Sequence, residues 1–127
     1  MNDVLALLAR IGLSLGFILL GWGKIGAYAG TQQYMESSGV PGALLPLVIA
    51  LEIGGGIAIL LGAFTRWVSL ALAVFTILAA ALFHLPHFSD PAQAINVWKN
   101  VAMAGGFCAL AALGAGAYSV DRKIHRI

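Results

Sequence analysis

The chain has 127 residues, of which 61% are hydrophobic and only 9% are charged, with a formal net charge of +2. A soluble domain of this size needs more charged residues to cover its surface, so the composition excludes that class and indicates an integral membrane protein. The small net charge gives no support for nucleic-acid binding. The single cysteine, Cys108, excludes an internal disulfide and a two-cysteine redox centre within the chain.

Four apolar stretches predict four transmembrane helices, at residues 4–23, 44–62, 67–85 and 97–118. Each is close to the ~20 residues that a helix needs to cross the ~30 Å hydrocarbon core of a bilayer. We therefore predict an all-α fold, an integral membrane four-helix bundle that forms a single transmembrane domain over residues 1–127. In the first connection, Thr31 is expected to cap a short interfacial helix over residues 32–38. Asp90 followed by Pro91 is typical of a helix start.

The basic residues near the ends of the predicted spans are unevenly distributed. One side carries Arg10, Arg66, Arg122, Lys123 and Arg126, whereas the other carries Lys24 and Lys99. Cytoplasmic loops are enriched in Lys and Arg, so we predict that both termini are cytoplasmic.

Glu52 is the only residue of the second span that can carry a charge. An ionised carboxylate near mid-membrane costs at least ~2.5 kcal/mol, so it is expected to face the protein interior and to find a partner. Counted from the cytoplasmic ends of their spans, Arg10 and Glu52 differ by only ~6 Å in depth. We predict that they form a buried ion pair. The functional alternative is that Glu52 takes up the proton that accompanies quinone reduction.

Polar and aromatic side chains near the outer boundary form a candidate ligand site. Lys24, Lys99 and Asn100 could donate hydrogen bonds to a quinone carbonyl or to a sulfur oxyanion, with Trp22 or Trp98 stacking on the ring and Glu52 lying deeper. The alternative is that the lysines and tryptophans only anchor the helices at the interface. The glycines at 54–56 leave either a slot for a flat ligand or a close helix contact.

The pair His84 and His87 has a spacing that suggests a metal or haem site. Pro86 disfavours regular helix at Leu85, and the sequence offers no further ligand set nearby, so no metal site is predicted. A solvated loop pair is the simpler interpretation.

Several motifs taken together resemble the DoxX family of small four-span bacterial membrane proteins. They are GWGK ending at Lys24, GVP from Gly39, LEIGGGIAILLGAFTR from Leu51, WKNVAMAGG from Trp98 and the closing GAYSVDR. The family is named after a subunit of a thiosulfate:quinone oxidoreductase, and other members are linked to membrane oxidoreductase assemblies. The polar positions that match the family pattern are Arg10, Lys24, Glu52, Arg66, Lys99, Asn100 and Asp121.

The resemblance implies a multi-pass protein of the bacterial inner membrane that works with a partner oxidoreductase subunit or as a homo-oligomer in the lipid bilayer. We expect no covalent cofactor, and a quinone is the candidate ligand. The alternatives are a non-catalytic membrane scaffold and, third, a small-solute transporter or channel. Because the sequence carries no nucleotide-binding loop or catalytic triad, a subunit or partner of an oxidoreductase is favoured over an enzyme that acts alone.

Overall fold

The computed structural model of the chain describes residues 2–125. Regular structure within this range is entirely helical, without a strand. Six α-helices follow one another: α1 (Asn2–Gly26), α2 (Tyr28–Ser37), α3 (Leu45–Leu61), α4 (Thr65–Ala79), α5 (Pro91–Leu113) and α6 (Val120–His125). A 3₁₀ turn, Gly42–Leu44, leads into α3, and a π-helical turn, Ala80–His84, continues α4 into a second 3₁₀ turn, Leu85–His87.

Among the described residues, three helical segments are long and apolar enough to cross a membrane: Asn2–Gly26, Gly42–Leu61 and Thr65–His87. This finding confirms the predicted all-helical membrane class. Helix α5 is not among these three segments. It has 23 residues, which is long enough to cross a membrane, but its first half carries four polar residues, Gln93, Asn96, Lys99 and Asn100. The fourth span therefore stays a prediction.

The long helices pack in adjacent pairs around one apolar core. Helix α1 lies along α3, α4 lies along α5, and further contacts join α3 to α4 and α1 to α5. The core consists mainly of Phe17, Ile59, Leu72, Phe107 and Leu110, all buried. The rings of Phe17 and Phe107 meet edge to face with centroids 5.5 Å apart, a favourable aromatic geometry.

Two of the glycines at 54–56 serve helix packing. A Cβ atom on Gly56 would lie 2.7 Å from Ile18 Cγ1, so only glycine permits the observed approach of α3 to α1. Gly55 packs on the side chain of Leu72 of α4, where an added Cβ would stand 3.1 Å from Cδ2. Gly54 has no such neighbour within 4 Å. Of the two sequence interpretations, the structure therefore shows close helix contact at Gly55 and Gly56 and does not show it at Gly54.

The short helix in the first connection begins earlier than predicted. Helix α2 starts at Tyr28, so Thr31 lies inside it, and the Thr31 hydroxyl donates to the Ala27 carbonyl at 2.8 Å instead of capping the helix. The chain leaves α2 through Gly39, whose φ of 82° lies in the left-handed region. A helix is thus present near the predicted residues 32–38, and its position at the membrane interface stays a prediction.

The last long helix starts at the predicted cap and ends before the predicted residue 118. The Asp90 carboxylate accepts a hydrogen bond from the Ala92 amide at 3.0 Å. Helix α5 stops at Leu113 because Gly114 and Gly116, with φ of 85° and 84°, turn the chain out of the helix. The segment that follows returns to the α3–α4 turn. Arg126, one of the predicted cytoplasmic basic residues, lies outside the described residues.

Candidate functional site

A cavity of about 360 Å³ lies between α1, α2, α3, α4 and α5. Its apolar wall includes four aromatic side chains, Phe17, Tyr34, Phe75 and Phe83. Its polar lining consists of Lys24, Thr31, Glu52, Thr76, His84, Asn96, Lys99 and Asn100. An apolar pocket with a few converging polar groups is the usual form of a small-molecule site.

An ion pair between Lys24 and Glu52 lies in the wall of this cavity. The Lys24 Nζ atom is 2.8 Å from Glu52 Oε1 and 3.1 Å from Oε2. The Glu52 side chain is 4% exposed and that of Lys24 27%. The carboxylate is therefore held at depth, while the ammonium group keeps partial access to the cavity and to solvent.

The predicted ion pair between Arg10 and Glu52 is wrong, because the helices meet in a different register. A Cβ atom on Gly21 would lie 3.2 Å from Glu52 Cβ, which places Glu52 level with the last third of α1. Arg10 instead lies level with the end of α3. There its guanidinium donates to the carbonyls of Leu60, at 3.3 Å, and Tyr118, at 2.5 Å. Helix α1 extends beyond the end of α3 on this side, and counting residues from predicted span ends missed this offset.

Helices α4 and α5 place two further polar groups at the deep side of the cavity. The Asn100 side-chain amide donates to the Thr76 carbonyl at 3.2 Å, so the orientation of Asn100 is fixed across the helix pair. The Thr76 hydroxyl is buried and has no hydrogen-bond partner within the described part of the chain. A buried hydroxyl without a partner is costly, and this one is shielded from the cavity as well as from solvent.

His84 lies in the π-helical turn after α4 and lines the cavity, so it is not a solvated loop residue as predicted. Its Nδ1 atom is 2.6 Å from Gln93 Oε1, a hydrogen bond in which the imidazole donates if Nδ1 carries the proton. His87 is exposed and lies outside the cavity lining. Only one of the two histidines therefore belongs to the site.

Four of the predicted ligand-binding residues come together and two do not. Lys24, Glu52, Lys99 and Asn100 all line the cavity. Trp22 and Trp98 lie outside this lining and are 70% and 64% exposed, as interface anchors are expected to be.

Phenylalanine and tyrosine side chains form the aromatic wall in place of these tryptophans. The sequence contained a signal for the α1 side of the cavity. Phe17, Leu20 and Lys24 have a spacing that places them on one face of a helix.

The arrangement suits a flat, largely apolar molecule that accepts hydrogen bonds. Lys24 and Lys99 offer donors from two helices, and the aromatic wall offers ring contacts. Tyr34 closes one side: its ring stacks on Phe83 with centroids 5.5 Å apart, and its hydroxyl donates to the Phe83 carbonyl at 3.4 Å. Helix α2 thereby covers part of the cavity.

Comparison with known proteins places the chain in a family. Residues 5–85 match the DoxX family model. The chain is 52% identical over 126 residues to inner membrane protein YqjF of Escherichia coli (strain K12), covering 99% of this chain and 96% of YqjF. It is 41% identical over 130 residues to inner membrane protein YphA of the same organism, covering 96% of this chain and 91% of YphA. No solved structure gives a significant match. The chain therefore belongs to the DoxX family, as its motifs predicted.

Proposed function

We propose that this DoxX-family protein spans the bacterial inner membrane four times, with both termini cytoplasmic, and binds a quinone-type ligand as the membrane subunit of an oxidoreductase. Three long apolar helices and two relatives named as inner membrane proteins support the location. Helix α5 supplies the fourth crossing because it packs lengthwise on α4. Helix α2 then lies at the outer interface, over the mouth of the cavity.

The observation that carries the proposal is the combination of ring contacts and hydrogen-bond donors in one cavity. A quinone head group is flat and carries two opposed carbonyl oxygens, so it needs aromatic or apolar walls and donors on different sides. The cavity has aromatic side chains from α1, α2 and the α4 segment, and it has donors from α1 and α5. Its volume of about 360 Å³ lies within the range of small-molecule sites.

The Lys24–Glu52 pair gives the site a means of handling protons. A quinone that accepts electrons also takes up protons at its carbonyl oxygens. A lysine ammonium that donates to a carbonyl can pass a proton to it, and Glu52, at 2.8 Å, stabilises the ammonium form of Lys24 beforehand. The electrons come from a partner oxidoreductase subunit.

The second candidate function is a non-catalytic membrane scaffold. The closed glycine contacts at Gly55 and Gly56 favour it, because they show that the small residues serve helix packing. Under this alternative the Lys24–Glu52 pair only fixes the register of α1 against α3, and lipid tails fill the cavity.

Binding of a water-soluble, short-chain quinone analogue to the purified protein in detergent separates the two functions. We expect saturable binding by calorimetry, weakened about tenfold or more by Lys99→Ala and by Glu52→Gln, which corresponds to ~1.4 kcal/mol. Lys123→Ala is the matched control, because Lys123 is exposed and lies outside the cavity lining. If the parent protein binds no analogue, or if both cavity variants bind it as the parent does, the quinone-binding function is rejected in favour of the scaffold function.

A further inference from the structure

A second cavity, of about 500 Å³, lies at the opposite end of the molecule from the Lys24–Glu52 pair. It is bounded by the turn between α3 and α4 and by the segment that follows α5. Two arginines, Arg66 and Arg122, line it together with the apolar side chains of Phe64, Trp67 and Leu113. The proposed quinone site uses none of these residues.

The carboxylates of this cavity are already engaged by backbone donors. Asp121 accepts hydrogen bonds from the amides of Phe64, at 2.7 Å, and Thr65, at 2.9 Å. Asp3 accepts one from the amide of Ala117 at 2.9 Å.

The arginines of the cavity are not paired with its carboxylates. Within the described part of the chain, neither Arg66 nor Arg122 has a carboxylate within ion-pair distance, although Asp3 and Asp121 also line the cavity. The guanidinium N–H groups of both arginines are therefore available to an anion.

The apolar side chains around the cavity are highly exposed. Trp67 is 77% exposed, Phe64 68% and Leu113 82%. In a membrane protein such side chains contact acyl chains, and tryptophan prefers the level of the lipid headgroups. The ligand that fits is therefore amphipathic, with an anionic head for the arginines and apolar chains for this surface.

We propose that the Arg66–Arg122 cavity binds the phosphate group of an anionic phospholipid. Arginine forms paired hydrogen bonds with phosphate oxygens, and basic pockets between membrane helices suit acidic headgroups. A soluble phosphate ester shares the headgroup chemistry but leaves the exposed apolar side chains uncovered. A phospholipid contacts both the arginines, through its phosphate, and the exposed apolar side chains, through its acyl chains.

Binding of phosphatidylglycerol to the delipidated protein in detergent tests this proposal. We expect phosphatidylglycerol to bind by native mass spectrometry and to raise the midpoint of thermal unfolding, with phosphatidylcholine giving a much smaller effect. Arg66→Gln and Arg122→Gln should each weaken the apparent affinity for phosphatidylglycerol about fivefold. Lys123→Gln is the matched control, because it removes a neighbouring positive charge that does not line the cavity.

Two results would overturn the assignment. Equal weakening by Lys123→Gln and by the arginine variants would show general attraction to a basic surface instead of a site. Binding of soluble glycerol phosphate with the same affinity as phosphatidylglycerol would show a soluble anion as the ligand. A failure of quinone binding leaves this test unaffected, since the two cavities share no lining residue.

Discussion

The two ends of the helical core use buried charges in different ways. At the Arg10 end, the guanidinium is fully buried and bonds to the backbone carbonyls of Leu60 and Tyr118. At the Lys24 end, two side chains bond to each other in the wall of a cavity. A buried charge that bonds to the backbone holds chain segments together, whereas a pair beside a cavity can exchange its partner for a ligand.

The backbone explains this difference. The last carbonyls of a helix have no partner within the helix, and α3 ends at Leu61, next to Arg10. The segment after α5 leaves helical geometry at Gly114 and brings the Tyr118 carbonyl to the same guanidinium. At the other end Lys24 meets Glu52 in the middle of α3, where the backbone carbonyls are already bonded within the helix, so the ammonium group bonds to a side chain instead.

Replacing Arg10 should have the largest effect on stability. Arg10→Met keeps most of the side-chain volume but leaves two carbonyls without their charged donor. Each such bond contributes ~1.5–3 kcal/mol, so we expect a loss of about 3–6 kcal/mol in the free energy of unfolding, measured by denaturant titration in detergent. Arg66→Met, an exposed arginine at the same end, should change it by no more than about 0.5 kcal/mol. Similar losses for the two variants would show that Arg10 holds no segments together.

A double-mutant cycle should sharpen the assignment of the Glu52 partner. Glu52→Gln leaves the Lys24 ammonium unpaired, and Lys24→Met leaves the buried carboxyl unpaired. Because Lys24 is 27% exposed, we expect a coupling energy of about 1–3 kcal/mol, below that of a fully buried pair.

The same cycle with Arg10 in place of Lys24 serves as its control. Arg10→Met and Glu52→Gln should be additive within about 0.5 kcal/mol, because the two side chains share no partner. Strong coupling between Arg10 and Glu52, or none between Lys24 and Glu52, would contradict the observed register of α1 against α3.

The aspartates that cap α4 and α5 lie at the Arg10 end and the Lys24 end of the core, respectively, and their removal is expected to have smaller effects on stability. Asp121 accepts two backbone amides at the start of α4, whereas Asp90 accepts one at the start of α5. Removal of a cap costs ~0.5–2 kcal/mol, so we expect Asp121→Ala near the upper limit and Asp90→Ala near the lower one. Thermal unfolding of both variants in one detergent measures the order, and a larger loss for Asp90→Ala would contradict it.

The turn that Asp121 holds also contains a strained residue. Phe64 has a φ of 49°, which a bulky side chain rarely adopts, and its amide donates to Asp121 at 2.7 Å. The strain is of order 1–3 kcal/mol and persists only where the surroundings compensate it. This is a further reason to expect the loss of Asp121 to exceed the loss of a simple cap.

The amino-acid sequence by itself determined the membrane class, the helical content and the family. These follow from local properties, since an apolar run of about 20 residues and a cap such as Asp90 act over one helix. The sequence also identified most of the charged residues of the cavity, because Glu52 stands alone in an apolar run and therefore needs an interior partner.

Only the tertiary structure decided which partner Glu52 takes. The choice between Arg10 and Lys24 depends on how far α1 slides along α3, and one turn of slippage moves a side chain by ~5.4 Å. That offset is set by Gly21 and Gly56, where a Cβ atom would collide with Ile53 and Ile18, and by the return of the chain after Gly114. Such contacts join residues far apart in the chain, so no local pattern encodes them. The same holds for the cavity, whose lining comes from five helices at once.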